Sequence, residues 1–95
     1  MLIQKPLLKN DIVSIKLLSG EEIIARLEEE KDHAWVVEKP VCLGPQENGV
    51  AFAPFLMTTE AATVSINKAT VVTVVPTHSS LAKSYTESTT SIKIT

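Results

Sequence analysis

The chain predicts an all-β domain, a small antiparallel barrel or sandwich. Three observations carry that expectation. Apolar and polar residues alternate through Val13-Ser14-Ile15-Lys16-Leu17 and again from Ile23 to Leu27, the period-two pattern of half-buried strands. β-branched residues dominate the apolar set and are densest in Thr70 to Val75, where they suit a pleated surface. Strand-like runs recur at short spacing with little helix between them, divided by turn candidates such as Ser19-Gly20, Gly44 to Gly49 and Asn67-Lys68.

Each element follows in order. Residues 1–10 form a short lead-in, where Pro6 is suited to open a brief helical turn because its missing N–H is harmless there. The first strand runs from Ile12 to Leu18, with Val13, Ile15 and Leu17 on one face. Ser19-Gly20 is a tight turn, since Gly takes a positive φ at no steric cost. The second strand covers Glu22 to Glu29, with Ile23, Ala25 and Leu27 facing inward. The third begins near Ala34 and continues to Leu43; Pro40 inside it implies an edge position or a bulge.

Gly44 to Gly49 is dense in turn residues and reads as a loop. The apolar excursion Val50 to Met57 reads as strand, and Thr58 to Ala62 is open between bulge, loop and continuation. A short strand over Thr63 to Ile66 follows, then a tight turn at Asn67-Lys68, because Asn tolerates the left-handed region. Thr70 to Val75 is the last strand and Pro76 ends it. Ser79 or Ser80 can cap a short helix that places Leu81 and Tyr85 on one face. After Glu87 the Ser/Thr-rich end is expected to fray, with Ser91 to Ile94 available as an edge strand. The organisation is thus a lead-in over 1–10, one β domain over 11–76, and a short helix with a Ser/Thr-rich tail over 77–95.

Composition limits the function classes. Ninety-five residues make one domain, and a chain this short buries only roughly two-thirds of its unfolded surface, so assembly is a usual source of added stability. The bare edge of the Val-rich last strand points the same way, because a neighbouring subunit would cover it. The net charge of −2 excludes a strongly basic nucleic-acid binder but leaves local basic spots. The single Cys42 forms no intramolecular disulfide and suits a reducing compartment. With neither an apolar run of membrane-spanning length nor a signal-peptide core at the N-terminus, the expectation is a cytoplasmic chain without membrane partners.

Catalytic patterns are sparse. His33 and His78 are far apart, with no Ser-His-Asp or Cys-His arrangement at usable spacing. A Gly-rich phosphate loop is missing, and His33, Cys42 and His78 have no metal-ligand spacing. Glu21, Glu22, Glu28, Glu29 and Glu30 read as a solvated hairpin surface. The expectation is a non-enzyme with no cofactor and no metal. For binding, Trp35 could stack on a nucleobase, although Trp at a strand start is more often core or interface. Lys68, in the turn before the last strand, could reach a phosphate.

Two skeletons combine into a resemblance. Val13-x-Ile15-x-Leu17-x-x-Gly20-x-x-Ile23-x-Ala25-x-Leu27, followed by Asp32-His33, resembles the first motif of the Sm and Sm-like family. Val64-x-Ile66-Asn67-Lys68-x-x-Val71-x-x-Val74 fits its second motif without a gap, and Lys68 to Pro76 is similar to the end of the Hfq domain. The two span about residues 12–76 and look most like the Sm-like proteins of marine phages. The resemblance implies a strongly bent five-stranded SH3-like barrel, here with the N-terminal helix short or absent. It also implies a homo-oligomeric ring, made by pairing strand four of one subunit with strand five of the next.

Single-stranded RNA would then bind at pore-facing loops, with Asp32, His33, Trp35, Asn67 and Lys68 as the candidate RNA-binding residues and RNA processing or decay as the role. Departures from the pattern are specific. The family's strand-two glycine is Ala25, the Asn of its first RNA loop is missing, and Asn67-Lys68 stands where Arg-Gly is usual; Lys is a point charge without the guanidinium fork. An oligomeric scaffold for protein partners, with the RNA pocket lost, is the alternative.

Overall fold

The computed structural model describes residues 6–46 and 49–90. It contains β1 (Ile12–Leu17), β2 (Glu22–Glu30), β3 (Ala34–Gln46), β4 (Gly49–Pro54), β5 (Thr63–Asn67), a 3-10 turn over Lys68–Thr70, β6 (Val71–Pro76) and α1 (Ser79–Thr90). All strand pairings are antiparallel, in one six-stranded sheet. The expectation of a β domain with a short C-terminal helix holds. The strand count is corrected from the five of the expected barrel to six, because the Val50 to Met57 excursion, read as strand, pairs with the second half of β3 as β4 in addition to the other five. Gly44, Pro45, Gln46 and Gly49, expected in a loop, belong to that pairing, with Gly44 opposite Ala51; Glu47 and Asn48 lie outside the described residues.

β3 is long enough to serve two partners on one edge. Its first half pairs with β5, Trp35 opposite Ile66, and its second half pairs with β4, Leu43 opposite Phe52. The other edge of β3 lies along β2, then β1, then β6. The path β5-β3-β2-β1-β6 therefore separates two strands that only three residues connect. Chain reach from Asn67 to Val71 is at most about 14 Å. Five strands lying flat would hold β5 and β6 about 19 Å apart. The sheet must curl, and the core shows that it does: Ile66 of β5 packs with Val13, Ile15, Leu17, Ile23, Ala25, Leu27 and Val37, and Val71 and Val74 of β6 lie against the same cluster. Among the described residues the curl stops short of a closed barrel, since β5 and β6 do not pair with each other.

Two bulges in the β2–β3 ladder assist the bend, beside a third register shift at Lys16/Leu17 in the β1–β6 ladder. Between Leu27 and Glu29 the register with β3 gains an extra residue on β2, Glu28. Between Glu38 and Val41 it gains one on β3, at Lys39-Pro40, as the proline implied. Lys39 sits there at φ 49°, a left-handed conformation that bulges accept and non-glycine residues seldom adopt. Gly20, at φ 99°, makes the β1–β2 turn as expected.

The helix lies against the sheet's other face through Tyr85. Its phenol O–H is shared between the carbonyls of Glu38 and Lys39, 3.0 and 2.8 Å away, and its ring meets Phe52 edge-on at 6.4 Å. The cap precedes both expected serines: His78 Nδ1 accepts from the Ser80 N–H at 3.3 Å. α1 runs on to Thr90, past the expected fraying point at Glu87. At the other end, Pro6 opens no helical turn; the lead-in instead makes a turn closed by Asp11 N–H to Leu8 O, with Asn10 at φ 78°. The expected edge strand over Ser91 to Ile94 lies outside the described residues.

Candidate nucleic-acid interface

Four of the five candidate residues converge at one end of the sheet. The β2–β3 turn is closed by Lys31 N–H to Ala34 O at 2.8 Å, which presents Asp32 and His33 to solvent. The backbone N–H of Lys68 donates to His33 O at 2.9 Å, so that turn is tied directly to the start of the 3-10 turn. Asn67 caps the same turn: its Oδ1 accepts from Ala69 N–H at 2.8 Å, and its carbonyl accepts from the Thr70 hydroxyl. The short turn thus has its free N–H satisfied by its own cap, the usual reason for Asn at that position. Asp32 stays at the exposed tip of the hairpin and is the candidate the fold does not draw into the cluster.

Trp35 and Lys68 form the chemical centre. The Trp35 indole is half-buried against the core, in keeping with the expectation of a partly structural ring. Lys68 Nζ lies 5.1 Å from the ring centroid, within range for a cation–π contact. The same ammonium meets Glu30 Oε2 at 2.7 Å, and Glu30 lies directly across from Trp35 in the β2–β3 ladder. Carboxylate, ammonium and indole are therefore one unit. Lys68 is not a loose turn lysine, and part of the Trp35 surface is already occupied.

Glu30 is the residue sequence reasoning missed. Simple alternation from Ile23 sends Glu28 and Glu30 to the side of Ile24. The bulge at Glu28 shifts the parity, so Glu30 shares a face with Trp35. A one-residue insertion moves every later side chain to the opposite face, and the run Glu28-Glu29-Glu30 carries no local mark of it. Elsewhere in the acidic set, Glu28 pairs with Lys9 at 3.3 Å.

A second concavity was not anticipated. It is a cleft of about 520 Å³ beside the Lys39-Pro40 bulge, walled by Phe52, Leu56, Val64 and Thr89. Leu56 and Met57 next to it are exposed, Met57 by 81%, so the apolar excursion is only partly absorbed into the core. Cys42 is half-buried; burial and the nearby Glu21 charge push its thiol above the usual range, which holds it in the unreactive protonated form. Among the described residues, no group of three or more His, Cys, Asp or Glu could hold a metal, and no helix is long and apolar enough to cross a membrane.

Against known proteins, no family model matches the chain and no curated protein matches it.

Proposed function

We propose that this chain is an Sm-like, ring-forming protein that binds single-stranded RNA through the Trp35–Lys68 end of its sheet. One observation carries the reading: the β2–β3 turn and the β5–β6 turn, distant in sequence, are joined by the Lys68–His33 backbone bond and place an aromatic ring beside a cation. That pairing offers a π-face to a base and a charge to a phosphate, the two elements of sequence-tolerant single-strand binding. His33 and Asn67 border it and supply further polar contacts, with Asp32 at the rim.

Support for the strongly bent Sm-like barrel comes from strand order. The two strands at the ends of the β5-β3-β2-β1-β6 path are joined by a single 3-10 turn, and one core lies inside the curl. Support for the ring comes from the edges. Among the described residues, β5 pairs only with β3 and β6 only with β1, which leaves each with an outer edge for another chain to pair with. Val72 and Val75 on β6 are 59% and 42% exposed, a β-branched surface that a neighbouring strand would cover.

A second reading, an oligomeric scaffold for protein partners, is favoured by the Glu30–Lys68 contact and by the apolar cleft near Leu56 and Met57. One titration separates the two. Trp35 is the chain's only tryptophan, so its emission reports on this end of the sheet alone. Adding short oligo-U or oligo-A at low salt should quench or shift that emission and raise the anisotropy of a labelled oligonucleotide. Unchanged emission with unchanged anisotropy would remove the RNA reading and leave the scaffold.

A further inference from the structure

We infer that Glu30 is a built-in competitor for the anion site, so that nucleic acid binds only by displacing its carboxylate from Lys68. This rests on the RNA reading of the same end of the sheet. The geometry is specific. Glu30 Oε2 sits 2.7 Å from Lys68 Nζ, a short charge-assisted hydrogen bond. Glu30 reaches that position because the Glu28 bulge brings it opposite Trp35. Lys68 is held from two sides, by the carboxylate and by the indole face 5.1 Å away. In the free protein the cation is therefore neutralised where a phosphate would dock.

Both partners remain open to exchange. The Lys68 and Glu30 side chains are 30% and 53% exposed, and exposed ion pairs are weak enough for an incoming anion to break. The displaced carboxylate stays close by on the same strand face and repels the phosphate that replaced it. Two effects thus act in one direction: Glu30 occupies the cation before binding and opposes the ligand after it. A ligand gains most when it brings both an anion for Lys68 and a planar base for Trp35. Inorganic anions, with no base to stack, should compete poorly.

The test is Glu30→Gln, which keeps the side chain's size and removes its charge, read by anisotropy of a labelled oligo-U at low salt. Relative to wild type, the variant should bind about threefold to tenfold tighter, as expected for releasing one exposed ion pair and one repulsion. The gain should shrink as salt rises, because both effects are screened. It should disappear in the Lys68→Met background, where Glu30 has no cation to mask. Glu22→Gln, an equal charge change at the far end of the β2 strand, should leave affinity within about twofold.

Equal or weaker binding by Glu30→Gln, with wild type clearly binding, would overturn this inference and leave the RNA reading intact. A gain that persists with Lys68→Met, or that Glu22→Gln reproduces, would also overturn it, as a general charge effect. If neither wild type nor Glu30→Gln binds, the RNA reading falls and this inference falls with it.

Discussion

Tyr85 shows how one side chain can hold an unfavourable backbone. It is fully buried, and its hydroxyl bonds the two carbonyls that flank the turn of β3 at Lys39. Tyr85→Phe keeps the ring against Phe52 and removes only those bonds. It should lower unfolding free energy by about 1–2 kcal/mol in urea denaturation. Burial also pushes the phenol up to about 12. A group whose folded value lies above its unfolded value contributes stability that is intact below about pH 10 and is lost as pH climbs through about 12. The urea midpoint should therefore fall across that alkaline interval in wild type and fall less in Tyr85→Phe. At this scale the sequence was informative about identity: Trp35 and Lys68 stood out as the aromatic and the cation most able to meet a base and a phosphate. Their mutual contact was not legible, because it depends on the pairing of β3 with β5, which sets Ala34 opposite Asn67 and brings Lys68 beside Trp35.

Elements were most legible where alternation was unbroken. β1 and the first half of β2 follow the apolar period directly, and Gly20 marks their turn. Legibility failed where the ladder gains a residue. Pro40 advertised the β3 bulge, because a proline cannot donate to the ladder, whereas the Glu28 bulge lies in a run of identical glutamates with nothing to flag it. The β3–β4 arm was obscured for another reason: Gly44, Pro45 and Gly49 favour turns locally, yet antiparallel pairing runs through them. Tertiary pairing outweighs local turn preference here. The β3 bulge also yields a prediction. Lys39 occupies the left-handed region at φ 49°, and glycine takes that conformation freely. Lys39→Gly should stabilise the fold by roughly 0.5–1 kcal/mol, after the extra chain entropy of glycine is subtracted. Thermal unfolding of the two proteins checks it, and a lower midpoint for Lys39→Gly would show that the Lys39 contact with Thr89 O matters more than the backbone.

For the whole molecule, the curl of the sheet follows from connectivity. Strands at opposite ends of the path are drawn toward each other, without pairing, because one 3-10 turn joins them, and the same curl gathers the β2–β3 and β5–β6 turns into one end. The all-β class was readable from period and composition. The strand over the Val50 to Met57 excursion was readable as well, but its place in the sheet beside β3 and the open seam between β5 and β6 were not, because strand pairing leaves no mark in local patterning. The open edges are consequential: exposed Val72 and Val75, on a strand that pairs on one side only among the described residues, are a hazard in a solitary 10.3 kDa chain and an asset in an assembly. The most direct test is light scattering of the gel-filtered protein, with and without short oligo-U, with absorbance recorded for nucleic acid. The account predicts a discrete multiple of 10.3 kDa that carries oligo-U with it through the column. A 10.3 kDa species that elutes apart from the RNA at micromolar concentration would contradict it.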